Sequence, residues 1–162
     1  MNIKSTFIML MVIGALLAAC APATSTTSTN NTSTTTEFTG VKINLNTATS
    51  EELLATIPGF GNRMVREFKE YRPYISIQQF RQEIGKYVDD VQVADYEKYV
   101  YVPIAINDSD SETLQQIPGL DSTEADSVMS SRPYASTDAF ITKLSEFVSA
   151  DELVTAKSYL GE

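Results

Sequence analysis

In this 162-residue chain, the stretch Ile57-Pro58-Gly59-Phe60-Gly61-Asn62-Arg63-Met64-Val65 has residue types and spacing suited to holding a phosphate. Two glycines one residue apart let the backbone turn tightly and come close to a ligand. The amphipathic run that follows opens a helix whose first amides have no acceptor within the helix and carry a partial positive charge. Arg63, Arg66 and Lys69 recur on the outer face of that helix and offer ionic contacts to neighbouring phosphates. Such a site grips a sugar-phosphate strand without reading bases. Its candidate residues are Pro58, Gly59, Phe60, Gly61, Asn62, Arg63, Arg66 and Lys69. The same residues also fit a plain packing turn between two helices. Arg63 and Arg66 would then pair with Glu67 and Glu70, four residues further along.

Other chemistry is poorly supplied. There is no histidine and only one cysteine, Cys20, so the commonest general base and the commonest metal ligands are missing. No catalytic residue, metal site or cofactor is expected, and the chain does not read as an enzyme. Asp89-Asp90 suits a helix N-cap better than a cation site. Tyr87, Tyr96, Tyr99 and Tyr101 fit either a protein-docking surface or a core edge, and helical spacing favours the edge.

The candidate site must be carried by short helices. Thr49 with Glu52 forms a capping-box pattern that opens a helix ending before Pro58. A second helix runs from about Asn62 to Tyr71, where Pro73 stops it. Ser76 with Gln79 starts a third helix to about Ile84, and Asp89 caps a fourth to about Tyr99. Met64, Val65 and Phe68 with Ile77, Phe80 and Ile84 have the spacing of a shared core. Tyr99 to Ile106 and Val41 to Leu45 both read as extended, and whether they pair is open at this point.

The pattern occurs twice. At an offset of 60 and without a gap, Glu52 meets Glu112, Leu54 meets Leu114, and Ile57-Pro58-Gly59 meets Ile117-Pro118-Gly119. Arg72-Pro73-Tyr74 meets Arg132-Pro133-Tyr134, and Tyr99 meets Tyr159. Such self-similarity marks a duplication. The second copy repeats the caps as Ser109 with Glu112, Asp121 with Glu124, and Ser149 with Glu152. The expected fold is all-α, with two tandem units of about four short helices over 41–103 and 104–162.

The stretch from Ile57 to Val65 resembles a helix-hairpin-helix motif. With Asn44-Leu45-Asn46-Thr47-Ala48 before it and Tyr71-Arg72 after it, the first unit resembles the DNA-binding unit of the ComEA family of competence DNA receptors, a SAM-like fold. The resemblance implies double-stranded DNA held non-specifically through its backbone outside the cell, ahead of uptake. It also implies a second hairpin per unit, which would fall near Ile84-Gly85-Lys86 and is eroded, with Tyr87 and Val88 following. The second unit is degenerate: Asp121 stands at the place of Gly61, and Asp126 at that of Arg66. A carboxylate there caps its own helix and repels an anion, so the second hairpin is not expected to bind nucleic acid.

Charge divides the units in the same way. Residues 42–103 hold eight basic residues (Lys42, Arg63, Arg66, Lys69, Arg72, Arg81, Lys86, Lys98) against nine acidic ones. Residues 104–162 hold three (Arg132, Lys143, Lys157) against eleven. The whole chain carries −9, whereas nucleic-acid binders are usually basic.

The N-terminus points to export. Met1 to Lys4 is a short basic start and Phe7 to Ala19 an apolar core of signal-peptide length. Leu17-Ala18-Ala19-Cys20 resembles the lipobox of bacterial lipoproteins. Residues 1–19 are then a lipoprotein signal peptide, and Cys20 carries the lipid that anchors the protein to a membrane. Residues 20–40 form a Ser/Thr-rich disordered linker, a coil spanning roughly 25 Å. Two functions fit an extracytoplasmic, lipid-anchored protein of this kind: salt-sensitive attachment of DNA by the first unit, or an interaction and scaffold module whose acidic second unit docks a protein partner.

Overall fold

The computed structural model describes residues 40–161. The expected signal segment 1–19, the lipid anchor at Cys20 and the linker up to residue 39 lie outside the described residues. Those described are mostly helical, with eight helices and one two-stranded sheet. In order these are β1 (Ile43–Asn44), α1 (Ser50–Thr56), α2 (Asn62–Glu70), α3 (Ile77–Ile84), α4 (Asp90–Tyr96), β2 (Val100–Tyr101), α5 (Ser111–Leu114), α6 (Ser122–Ser130), α7 (Thr137–Leu144) and α8 (Ala150–Ser158).

Caps set the helix starts. Thr49 and Glu52 make the full capping box of α1, while Ser76 and Asp89 accept from the amides of Gln79 and Gln92 at the starts of α3 and α4. Capping boxes also open α6, through Asp121 and Glu124, and α8, through Ser149 and Glu152. Each cap gives an acceptor to a helix-end amide that otherwise has none, at about 1 kcal/mol apiece. Arg72-Pro73 and Arg132-Pro133, at matching places in the two copies, are both cis.

Two cores form, one per copy. The first gathers Leu45, Leu53, Ile57, Phe60, Val65, Phe68, Ile77, Phe80 and Ile84, with Met64 packed partly buried against it. The second gathers Ile104, Leu114, Ile117, Leu120, Ala125, Val128, Phe140 and Leu144. The two extended stretches do pair: β1 lies parallel to β2, with Ile43 opposite Val100 and Asn44 opposite Tyr101. The second copy keeps a single parallel bridge, Ile104 to Leu160. Because a strand turns successive side chains to opposite faces, β2 serves both cores. Val100 and Val102 enter the first, and Tyr101 enters the second, stacked on Tyr159 at 4.4 Å. Tyr96, Tyr99 and Tyr101 are thus buried core residues rather than a docking surface.

The ungapped register fails at its start. Asn46 brackets Tyr74 with two hydrogen bonds, to its carbonyl and from its amide, and the residue that brackets Tyr134 in the same way is Asn107, 61 positions on. Leu53 and Leu114 are fully buried counterparts, whereas Leu54 is 40% exposed. The offset returns to 60 by Ile117 because one residue fewer separates Leu114 from Ile117 than Leu53 from Ile57, at the point where α5 ends after four residues and α1 runs for seven. Ser109 therefore does not cap α5. Asp110 does, accepting from the Thr113 amide, while the Ser109 hydroxyl accepts from the Ala105 amide.

The freed Glu112 reaches the other copy. Its carboxylate takes a hydrogen bond from Arg81 at 2.7 Å, and Arg81 also binds Glu97 through two nitrogens. Beside it, the first amide of α3, at Ile77, donates to the hydroxyl of fully buried Thr113 at 3.0 Å. Gln116 exchanges two hydrogen bonds with the Val102 backbone. The copies are joined by these specific polar bonds. Thr113→Val, which keeps the shape but removes the acceptor, is expected to lower unfolding free energy by about 1–3 kcal/mol in urea titrations.

Candidate functional site

Ile57-Pro58-Gly59-Phe60 closes with the Phe60 amide donating to the Ile57 carbonyl at 3.2 Å. Proline second and glycine third is the type II turn pattern, which needs positive φ at the third residue, and Gly59 has φ +69°. Phe60 then drives its ring inward, edge-on to Phe68 at 4.7 Å and to Tyr96 at 5.2 Å. Pinned in this way, the bend leaves Pro58, Gly59, Gly61, Asn62 and Arg63 exposed. A β-carbon at Gly59 or Gly61 would meet nothing within 4 Å. The bend is open to solvent.

Gly61 is the N-cap of α2, in extended conformation, and no side chain caps it. Among the eight described helices the other seven each have a Ser, Thr or Asp side chain accepting from a first-turn amide. Among the described residues, no turn or loop carbonyl accepts from the amides of Asn62, Arg63 or Met64. Three donors therefore converge at the positive end of a nine-residue helix.

The cations lie close by, with partners that the spacing did not indicate. Arg66 pairs with its neighbour Glu67 at 3.0 Å rather than with Glu70, and its side chain stays 69% exposed. Arg63 lies over the Tyr87 ring, 6.0 Å from its centre, and attracts Glu67 at longer range. Lys69 donates to the Ser50 hydroxyl at 3.1 Å, which turns it towards α1. Arg72 is not an outer cation: half-buried, it donates to the Ala48 carbonyl at 2.8 Å, as Arg132 does to that of Ser109.

Sequence spacing did not reveal the neighbourhood of the turn between α3 and α4. Tyr87 and Tyr71 share a hydroxyl hydrogen bond of 2.7 Å, and the Lys86 ammonium sits 5.1 Å over the Tyr71 ring while pairing with Glu83. Hydrogen bonding to Tyr71, and then to Glu67, holds the Tyr87 phenol well above its ordinary range. The hydrogen bond from Arg66 holds the Glu67 carboxyl below the usual carboxylate value. Residues sixteen apart, as Tyr71 and Tyr87 are, show no periodic signal; only the fold brings them together.

The matching bend of the second copy is closed. Gly119 again has positive φ, +80°, but a β-carbon there would meet the Glu152 carboxylate at 2.6 Å. The Asp121 carboxylate accepts from the Glu124 amide, and the Glu124 carboxylate accepts from that of Asp121, both at 2.9 Å. Carboxylates already fill the space that an anion would need.

A separate cleft of about 290 Å³ lies at the junction of the copies, lined by Lys42, Arg81, Glu97, Glu112, Gln115 and Gln116. Burial lowers the pKa of its Lys42 ammonium, partly offset by Glu97. Its charges balance, and it shares no residue with the bend. Asp89 is occupied as a helix cap, and among the described residues no group of three His, Cys, Asp or Glu side chains could hold a metal ion. Among them, too, no helix is long and apolar enough to cross a membrane. Compared with protein-family models, curated proteins and solved structures, the chain gives no match.

Proposed function

We infer that this chain is a membrane-tethered lipoprotein that holds double-stranded DNA through its sugar-phosphate backbone at the bend 57–63. In this reading its two copies are tandem helix-hairpin-helix units resembling those of the ComEA family. The observation that carries it is the difference between equivalent bends: α2 begins with three unclaimed amides beside Arg63 and Arg66, whereas α6 begins with two carboxylates in a closed capping box. Free amides at a helix N-terminus suit a phosphate oxygen, and neighbouring arginines suit the next phosphates along a strand. The first unit is the attachment point and the second a structural partner. Lipid on Cys20 would fix both to an extracytoplasmic membrane face, where attached DNA can await uptake.

Few cations take part, so binding is weak, and its salt dependence is set by those few ionic contacts. Titrating a fluorescently labelled duplex of mixed sequence with the full-length chain in non-ionic detergent should show binding at low salt, with log affinity falling against log salt at a slope of about −2 to −3. An AT-rich duplex should bind equally well. Absence of binding at low salt contradicts this function. It would favour the interaction module, for which the specific observation is the acidic excess of residues 104–162, eleven acids against three bases.

A further inference from the structure

Glu67 is the one acidic residue that is buried among those described, at 5% exposure. It stands on α2 one turn beyond the uncapped start. Its carboxylate accepts from Arg66 at 3.0 Å, the Tyr87 hydroxyl faces it, and Arg63 lies across the Tyr87 ring. The whole group belongs to one copy. Thr123, Asp126, Ser127, Ser131 and Phe147 stand where Arg63, Arg66, Glu67, Tyr71 and Tyr87 stand in the first. It therefore accompanies the open bend and is missing beside the closed one.

We propose that Glu67 is a built-in competitor for phosphate, a fixed carboxylate that already occupies part of the Arg66 guanidinium and so keeps the grip of the bend on DNA weak and releasable. The proposal rests on the phosphate-binding function above. A carboxylate shielded from water cannot turn away into solvent, because losing its partners would leave a charge desolvated and unpaired. Arg66 must then serve Glu67 and an arriving phosphate together, or abandon one of them. In either case the phosphate gains less than a free arginine would give. An exposed acid such as Glu70 can swing aside and competes less.

The test uses the full-length chain and the labelled mixed-sequence duplex. Glu67→Gln keeps the shape and an amide oxygen to accept from Arg66, but removes the charge. It should raise affinity at low salt about three- to five-fold and steepen the salt slope by about one. Glu70→Gln should raise affinity less. Because Arg66→Ala alone would strand Glu67 without its main partner, the arginine is probed in the Glu67→Gln background. Adding Arg66→Ala there should cost several-fold in affinity and return the salt slope to that of the parent, a reversal that a merely structural role would not produce. Should thermal melting show that Glu67→Gln fails to fold, Tyr87→Phe gives a second readout: it removes one partner of the carboxylate, leaves Glu67 more dependent on Arg66, and should lower affinity. With a parent that binds DNA, unchanged or reduced affinity in folded Glu67→Gln, or unchanged affinity in Tyr87→Phe, overturns the proposal and leaves the function standing. A parent that binds no duplex at low salt removes the function, and the competitor role with it.

Discussion

Gly61→Asp is expected to make the protein slightly more stable and, on the proposed DNA-holding function, to weaken duplex binding about thirty-fold. The second copy already shows what an aspartate does at this place: Asp121 is extended like Gly61 and accepts from the amide three residues on. Space is available at Gly61, where a β-carbon meets nothing within 4 Å and φ is −111°. Replacing a glycine N-cap by aspartate gains a few tenths of a kcal/mol, and the negative charge favours the helix dipole, together about 0.5 kcal/mol. That corresponds to roughly 2 °C in melting temperature for a domain of this size. On the DNA side, the new carboxylate takes an amide that a phosphate would have used and repels the rest of the strand. A hydrogen bond to a charged group is worth about 2 kcal/mol, which sets the thirty-fold loss. Gly61→Ala separates bulk from charge, since alanine neither caps nor repels, and it should keep most of the binding. If Gly61→Asp bound DNA as well as the parent, the free amides would have no part in function.

Phe68→Ala is expected to cost about 3–5 kcal/mol in unfolding free energy and more than about 10 °C in melting temperature. Phe68 is fully buried at the centre of an aromatic group, with Phe60 at 4.7 Å, Phe80 at 5.2 Å and Tyr96 at 5.5 Å, all edge-on. Truncation removes the ring, opens a cavity that three rigid neighbours cannot fill, and takes away the surface against which Phe60 holds the bend. The second copy is built differently, with Leu120, Val128 and Ala156 where Phe60, Phe68 and Tyr96 stand. Val128→Ala should therefore cost less, about 2 kcal/mol. Urea unfolding followed by circular dichroism compares the two. Equal losses would mean that the aromatic group adds nothing beyond buried area.

Much of the fold was legible because its signals are local. Thr49, Ser76, Asp89, Asp121 and Ser149 each cap the helix expected of them, since a cap depends only on residues within one turn. The core positions Val65, Phe68, Ile77, Phe80 and Ile84 followed from helical period and are all buried. Ser109 misled because Ser109 and Glu112 imitate a capping box in an ungapped register. The register slips where α5 is short, and only three-dimensional equivalents such as Asn46 and Asn107 reveal it. Contacts between distant segments were not legible at all. Arg81 with Glu112, Thr113 with Ile77, and the group of Glu67, Tyr71 and Tyr87 depend on how helices meet rather than on any spacing along the chain. At the candidate site the glycines and cations could be seen in the sequence, but the vacancy of the amides could not. An absent cap is the absence of a partner, and a partner can arrive from anywhere in the fold.

The most direct measurement is a titration of the isotope-labelled full-length chain with unlabelled duplex DNA, followed by backbone amide NMR at low salt. The account predicts that the amides of Asn62, Arg63 and Met64 shift first and furthest, while those of Ser122, Thr123 and Glu124 in the closed bend stay in place. Shifts centred on the second copy, or none at either bend, would contradict it.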